Sequence, residues 1–548
     1  MKRTIAAALF VLAACAPKMP PELAATGDEA TPVAAERLGE EARAESTNNS
    51  YSASANSNFA AQGFGGMWAS SWSVQPEPAL LSSQGLDLML SEEEMAELHL
   101  QGRVQQDLAA MRAFRPGYSF WQHIFLIPDG SVAFGSATDG RLLAVFPTNG
   151  EWRTEHWKDP FLASAFQGRA FQGRMSQRRD QVARLLEPEV GPVLHNATRG
   201  RFLLPNARRY GGFLAEWSEI YERFGVPAEI GLAQAILESG LNGRTRSPAN
   251  ALGFCQWLAG NWDRMKRHAT SVIEGYNQTT QAPYCAAYLT ILATKYGSFI
   301  PALSEHHAGG TNVGRVVILG DRLGGEDIRD RYFLGAELAL DLRQISLNQY
   351  REVVRTYGPR SFLYAEMVFG NRHTVENLRE TIPQERIYAM RAPRAIPLTE
   401  VTARTGLSAD EVRRFNPALV RQVPRGANLY LPMRIDEFGP DVSFWHRPAD
   451  PRFGEVLDDF LRLEADPERW DDRAFQPVLN DFKRRFLETS TEEGDVMAAV
   501  LGYVIDEVNT SRRGAILADY RTSVRIQNLL AQGMVQRAGV ASASAVAR

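Results

Sequence analysis

Apolar positions recur along most of this chain with the period of an α-helix. Between residues 227 and 241, the residues Ile230, Ala233, Leu237 and Leu241 follow one another at spacings of three and four, which predicts an amphipathic helix with one buried stripe. The same periodicity dominates residues 201–345 and returns in residues 435–548. The pattern therefore predicts a mainly α fold, with a large helical domain followed later by a helical C-terminal region.

Residues 91–200 show a different pattern. They begin with an expected helix, "SEEEMAELHLQGRVQQDLAAMRAF", in which Ser91 is a candidate N-cap. Three dipeptides typical of tight hairpin turns then follow at regular intervals: Asp129-Gly130, Asp139-Gly140 and Asn149-Gly150. This segment is therefore expected to be a small N-terminal α+β domain that contains a β-meander.

A second α+β unit is expected at residues 385–434. Ser408, with Glu411 three residues later, has the sequence of a helix capping box. Gly406 fits the end of a preceding helix, and "GANLYLP" predicts a short strand that ends at a proline. The expected order is helix, turn, helix and strand, and no first strand is evident from the pattern.

The N-terminus has the features of an export signal. Lys2 and Arg3 precede an apolar run at residues 4–14, which is shorter than the ~20 residues needed to span a bilayer. The run leads into Leu-Ala-Ala-Cys, which resembles a bacterial lipobox, so residues 1–15 are expected to be a lipoprotein signal that ends at the lipidated Cys15. The alternative is a plain secretory signal with an incidental cysteine.

Residues 16–90 are rich in Ala, Ser, Asn and Glu and are expected to form a flexible tether between the lipid and the folded body. Ala16 follows the cysteine, which resembles Gram-negative sorting to the outer membrane. The expected location is therefore periplasmic, with the membrane contacted through the lipid anchor at Cys15.

The overall composition excludes some classes of function. The chain has 548 residues, of which 44% are hydrophobic and 23% charged, and its net charge is −4. This is an ordinary globular composition with length for roughly three or four domains. Nothing in this charge balance suggests a surface that binds polyanions, so nucleic acid is not an expected partner.

Glu238 occupies an unusual place for a carboxylate. It falls in the last turn of the predicted helix, because Gly240 is a natural helix stop. The helix dipole is negative at that end, and any desolvation would add to its effect, so both would raise the pKa of the carboxyl group. A general acid that works near neutral pH needs such a shift. The ordinary alternative is a solvated charge at a helix end.

Four ordered blocks of sequence resemble those of soluble lytic transglycosylase domains. "ILESGLN" followed by "SPANALGFCQ" resembles their Glu-Ser and Gly-Leu-Met-Gln blocks, with Glu238 and Gln256 at the matching positions. "TTQAPYCAAYLTILATKYGSFIPALSEHHAGGTNVGRV" resembles the next two blocks, and Tyr332 falls where the family has a tyrosine that lines the cleft. Among the branches of the family, the membrane-bound, LysM-bearing lytic murein transglycosylases are the most similar.

The resemblance implies a lysozyme-like helical domain at residues 201–345 that cleaves the MurNAc–GlcNAc β-1,4 bond of peptidoglycan. Glu238 would protonate the glycosidic oxygen and then act as a base on the sugar's own 6-hydroxyl, which leaves 1,6-anhydromuramic acid. The implied substrate-binding residues are Ser239, Gln256, His307 and Tyr332. Two alternatives stay open, because Ser239 can simply help to end the helix and Gln256 can brace the loop.

The chain departs from the family's pattern at two places. Cys255 stands where the family has methionine, and His306-His307 replace Tyr-Asn. Adjacent histidines rarely converge on one ion, and no further His or Cys stands at ligand spacing, so neither a metal nor another cofactor is expected. Cys255 and Cys285 can form a disulfide in an oxidising compartment or remain small buried core residues.

The unit at residues 385–434 resembles a divergent LysM module, which implies binding to glycans that contain N-acetylglucosamine. A non-binding spacer is the alternative. The expected partners are peptidoglycan glycan strands, and no protein partner is predicted. Two other functions stay open: a lysozyme-type muramidase that uses water, and a catalytically weak wall-binding scaffold lipoprotein. The neighbouring carboxylates Asp263 and Glu305 are expected to form surface salt bridges.

Overall fold

The computed structural model describes residues 92–152, 156–341, 363–463 and 472–510, and these residues are mostly helical. The prediction of a mainly α chain is thereby confirmed. Within these ranges, no helix combines the length and the apolar character that crossing a membrane requires. The predicted signal with Cys15 and the predicted tether lie outside the described residues, as does the candidate cap Ser91.

The N-terminal part combines helices with one small sheet. Its elements are α1 (Glu92–Phe114), α2 (Gln122–Leu126), β1 (Ser131–Ser136), β2 (Leu142–Pro147), α3 (Pro160–Ala165), α4 (Met175–Val190) and β3 (Val193–Ala197). Both β2 and β3 pair antiparallel with β1, so the strand order is β2-β1-β3. The helices α3 and α4 pack over a separate apolar core that includes Phe134 and Phe146.

This sheet is not the predicted meander. Asp139-Gly140 does form the turn between β1 and β2, where Gly140 adopts a φ of 73°. Asn149-Gly150 also reverses the chain, because Trp157 forms an isolated antiparallel bridge with Ala144 of β2, but two helices then come before β3, which pairs with β1. The turn dipeptides thus mark chain reversals correctly but do not specify which strand pairs next.

The central body is almost entirely helical. Its elements are α5 (Gly200–Tyr210), α6 (Leu214–Arg223), α7 (Ala228–Ser239), β4 (Ala251–Leu252), β5 (Trp257–Leu258), α8 (Ala259–Met265), α9 (Gln278–Tyr296), α10 (Phe299–Ala308), α11 (Gly310–Arg322), α12 (Ile328–Asp341), α13 (Tyr364–Gly370) and α14 (Arg372–Thr381). The helix α7 packs against α6, α13 and α14. All its residues from Ile230 to Ile236 are buried, including the polar Gln234. The predicted single buried stripe is therefore too narrow, and this part of the helix is buried on every side.

The N-terminal helix α1 is fixed to this body by a buried ion pair. Asp107 is fully buried and accepts hydrogen bonds from Ser298 Oγ at 2.7 Å and from the Phe299 amide at 2.8 Å. Arg329 Nε lies 2.5 Å from the same carboxylate. Because a buried charge is costly unless it is paired, these contacts hold α1 at the junction of α9 and α10.

The segment at residues 388–431 forms a βααβ unit. Its elements are β6 (Tyr388–Arg391), β7 (Ile396–Pro397), α15 (Leu398–Thr405), α16 (Ala409–Phe415), β8 (Gln422–Val423) and β9 (Asn428–Leu431). The first strand, which the pattern did not reveal, is β6, and it pairs antiparallel with β9. The capping box of Ser408 and Glu411 is present, and Gly406 ends α15 in the left-handed conformation, so both predictions are confirmed.

The C-terminal helices belong to the same core as the body. They are α17 (Pro451–Leu461), α18 (Asp472–Glu488) and α19 (Glu492–Thr510). The last of them packs along α9, and its Tyr503 lies 5.6 Å from Trp257 and 6.1 Å from Tyr288 between ring centroids. The C-terminal region therefore packs against Trp257, at the end of the loop that follows Glu238.

Candidate active site

The helix α7 carries Glu238 to the edge of the body. Pro227 precedes its first residue, and Gly240 ends it with a φ of 57°. A Cβ atom at Gly240 would stand 2.3 Å from the carbonyl oxygen of Phe202, so α5 and the end of α7 approach each other as closely as only glycine allows. Glu238 thus lies in the final turn, as predicted, where the buried helix ends and the loop begins.

The Glu238 carboxyl group is largely removed from water. Its side chain is 15% exposed, and burial raises the pKa of Glu238 from 4.5 to about 7. The hydroxyl of Tyr364 donates a hydrogen bond to Oε1, which opposes part of this rise in pKa. Burial, and then the neighbouring Glu238, raise the pKa of Tyr364 well above its ordinary value, so this phenol remains a donor.

A second ring lies close to the same oxygen. His306 Nε2 is 3.7 Å from Glu238 Oε1 and 2.9 Å from the carbonyl oxygen of Cys255. Burial, with the charge of His307 adding to it, lowers the pKa of His306 to about 4. The imidazole is therefore neutral near pH 7, and because Cys255 O can only accept, Nε2 carries its proton.

His307 and Tyr364 form a stacked pair beside the carboxyl group. Their ring centroids are 4.6 Å apart and their planes differ by 6°. His307 is exposed, while Tyr364 is 4% exposed. The outer ring of the stack is thus positioned to meet a ligand, while the inner ring holds the carboxyl group.

The other residues of the predicted site serve the loop that follows α7. Ser239 is fully buried, and its single hydroxyl hydrogen is shared between Ala235 O and Phe254 O, each 3.0 Å from Oγ. It therefore ties the helix end to the loop rather than orienting the Glu238 carboxyl group. The Gln256 amide nitrogen donates to Thr245 O at 3.0 Å and to Gly253 O at 2.9 Å. Both hydrogens of this side-chain amide are used within the loop. The atom that remains for a hydrogen bond to a sugar is the side-chain oxygen, Oε1.

The loop is also held by a covalent bond to α9. Cys255 and Cys285 form a disulfide, with their Cα atoms 6.1 Å apart. The Phe254 amide donates to the side-chain oxygen of Gln281, also on α9. The pairing that the sequence left open is therefore present, and it fixes the carbonyl group that His306 contacts.

Tyr332 is a core residue in the structure. It is 1% exposed, and its hydroxyl lies 2.6 Å from Ser304 Oγ in the core, where burial raises the pKa of Tyr332 to about 12. The tyrosine beside Glu238 is instead Tyr364, at the start of α13, which the sequence analysis missed. The local signal was weak, since "LYAEMVFG" differs little from any short apolar helix.

The two neighbouring carboxylates are engaged in ion pairs, as expected. Asp263 and Lys266 form an exposed pair at 3.4 Å. Glu305 pairs with Lys295 at 3.0 Å and also accepts a hydrogen bond from Tyr296, but its side chain is only 11% exposed, so this pair is not a surface one. Both carboxylates thus have partners of their own, apart from the Glu238 carboxyl group.

Comparison with known proteins does not extend this picture. A scan against protein-family models gives no match, and no curated protein is significantly similar in sequence. Within the described ranges, no group of three or more His, Cys, Asp or Glu residues is arranged to hold a metal ion. The function of the site must therefore be inferred from its geometry and from the sequence blocks that surround it.

Proposed function

We propose that this protein is a peptidoglycan lytic transglycosylase with a lysozyme-like catalytic domain. It cleaves the MurNAc–GlcNAc β-1,4 bond without water and leaves 1,6-anhydro-MurNAc ends. The observation that carries the proposal is the Glu238 carboxyl group, buried at the end of α7 with its pKa raised to about 7. The blocks around it, which resemble those of lytic transglycosylases, supply the class of substrate.

The raised pKa suits the first half of the reaction. Near pH 7 about half of the Glu238 groups carry a proton, because the pKa is about 7. An acid with a pKa close to the working pH transfers its proton most effectively. Glu238 therefore protonates the glycosidic oxygen as the bond to C1 breaks.

The second half uses the same group as a base. Once deprotonated, Glu238 accepts the proton of the 6-hydroxyl as that oxygen closes onto C1, and the Tyr364 hydroxyl stabilises the carboxylate in the meantime. A glycosidase that uses an external nucleophile or water usually needs two carboxylates. One is enough here, since the attacking oxygen is part of the sugar and its effective concentration is high.

The βααβ unit at residues 388–431 acts in this proposal as a LysM-like module that binds glycan. Together with a lipid anchor at Cys15 in the outer membrane, it would keep the catalytic body close to the wall. Linking a second binding site in this way raises the effective substrate concentration without any new contact at Glu238.

The test is mass spectrometry of the muropeptides released from purified peptidoglycan by the parent protein and by Glu238→Gln. We expect anhydro-muropeptides from the parent and a loss of rate of about 10²–10⁴-fold in the variant, the range for removing a general acid. Asp263→Asn, which alters an exposed carboxylate, is the matched control and should retain the parent's rate. Products with reducing ends would instead identify a muramidase. If the parent protein releases no product, the wall-binding scaffold becomes the favoured function.

A further inference from the structure

We infer that His306 is a second hydrogen-bond donor to Glu238, engaged when that carboxyl group has lost its proton. His306 would then be a positioning residue for the step in which Glu238 acts as a base. The catalytic part of this inference rests on the proposed function, but the contact between the two side chains does not.

The geometry places one N–H group between two acceptors. His306 Nε2 lies 2.9 Å from Cys255 O, within hydrogen-bond distance, and 3.7 Å from Glu238 Oε1, just beyond it. A small rotation of either side chain, closing the second distance by about 0.5 Å, would complete the bond to the carboxylate. The two acceptors therefore compete for the same proton donor.

The charge of Glu238 decides which acceptor is preferred. A protonated carboxyl group is a weaker acceptor than a backbone carbonyl, so the N–H group stays on Cys255 O. A carboxylate is the stronger acceptor, and its hydrogen bonds are shorter and about twice as strong as those between neutral groups. Ionisation of Glu238 should therefore draw Nε2–H away from Cys255 and onto Oε1.

The surroundings keep His306 a neutral donor while this happens. The groups that face it are His307, the Tyr288 ring at a centroid distance of 6.0 Å, and Tyr364 at 6.5 Å. Lys295 and Glu305, whose charges act on the neighbouring Tyr288, neutralise one another as an ion pair. A protonated imidazole would hold Glu238 permanently ionised and remove its function as an acid, whereas a neutral one stabilises the carboxylate only when it forms.

The disulfide is part of this arrangement. It anchors the Cys255 backbone to α9. The position of the carbonyl oxygen that accepts from His306, while Glu238 is protonated, is thereby restrained. Since Nε2 must carry the proton shared with Cys255 O, this carbonyl group also selects the imidazole tautomer that can donate to Glu238.

The inference is tested by NMR titration of the ¹³C-labelled Glu238 carboxyl group, which Glu238→Gln assigns. The variants are His306→Leu, which removes the donor, and His306→Gln, whose amide nitrogen can replace Nε2. We expect the leucine variant to raise the pKa of Glu238 by about one unit, a tenfold change in its ionisation constant, and the glutamine variant to leave it close to that of the parent. Tyr364→Phe, which removes the donor already in place, shows how far the loss of one donor moves this titration.

A measurement on the unmodified protein does not depend on the variants folding. The ¹⁵N resonance of His306 Nε2 should change as Glu238 ionises, while the ring itself stays unprotonated. An unchanged resonance, equal Glu238 titrations in the parent and the leucine variant, or a glutamine variant that behaves as leucine does would each overturn the inference. Because these titrations need no substrate, they can support the contact even if no anhydro-product is ever found.

If the proposed function also holds, the pH–rate profile should move with the titration. The limb that reports Glu238 should shift to higher pH in His306→Leu by the same amount as its pKa, and His306→Gln should restore it. A purely structural role would lower the rate at every pH without moving this limb.

Discussion

At the scale of single residues, burial of Glu238 has two effects that can be measured separately. It prepares the carboxyl group to donate a proton near pH 7, and it makes the ionised form costly for the folded protein. Glu238 itself could be located from sequence, because the helix stop and the neighbouring blocks are local features. Tyr364 could not, because its hydroxyl meets Glu238 across a separation of 126 residues.

The cost of burial gives a prediction about stability. The pKa of Glu238 is raised in the folded state, so its contribution to stability is fully present below pH 4.5 and is lost as the pH rises through about 7. Glu238→Gln has no charge to bury. As the pH rises from 4 to 9, the free energy of unfolding of the variant, relative to that of the parent, should therefore increase by up to about 3 kcal/mol, the equivalent of the shift in pKa.

Denaturant unfolding of both proteins at several pH values checks this prediction. Asp263→Asn, at an exposed carboxylate, is the control, and its difference from the parent should show no such rise near pH 7. A constant difference between Glu238→Gln and the parent from pH 4 to pH 9 would mean that Glu238 is solvated and ionises normally.

At the scale of elements, local signals are reliable where one turn or cap decides the structure. The capping box at Ser408 and the stop at Gly406 are contacts between residues a few positions apart, and both were predicted. The pairing of β1 with β3 was not, because the partner strand comes after two helices and the turn dipeptides carry no information about it. For the same reason, the sequence pattern did not predict β6, which the structure defines by its pairing with the distant β9.

The loop from 240 to 257 is joined to α9 by one covalent bond as well as by hydrogen bonds. The disulfide closes a segment with a sequence separation of 30, for which loop-closure entropy gives a stabilisation of roughly 3–4 kcal/mol. We expect the double variant Cys255→Ala, Cys285→Ala to lose about this much stability in denaturant unfolding. It should also lose activity several-fold, because the Gln256 segment and the carbonyl group that holds His306 are released.

Addition of a thiol reductant to the parent protein provides the matching experiment without mutation. Reduction should lower the denaturant midpoint of the parent and leave that of the double variant unchanged. If the oxidised parent and the double variant unfold at the same denaturant concentration, the bond contributes no stability and the loop is held by its hydrogen bonds alone.

At the scale of the whole molecule, the segment that the resemblance predicts to be catalytic, residues 201–345, is smaller than the unit that surrounds Glu238 in the structure. One apolar core includes residues from Leu100 to Ile505, and no local pattern could reveal that helices so far apart share it. Phe213 contacts Phe415 of the βααβ unit at a centroid distance of 4.7 Å, and Trp257 contacts Tyr503 of α19. The helices around the site are therefore completed by segments on both sides of the motif-bearing region.

This arrangement predicts that a fragment of residues 201–345 does not function alone. It lacks Tyr364, which donates to Glu238, and it exposes aromatic side chains that α16 and α19 cover. We expect it to show no cooperative thermal unfolding and at least a hundredfold lower release of muropeptides than a fragment of residues 92–510, which retains these contacts. Circular dichroism during heating and mass spectrometry of digested peptidoglycan measure the two properties on the same samples. A sharp unfolding transition of the short fragment, with cleavage as fast as that of the long one, would contradict the requirement for a shared core and for Tyr364.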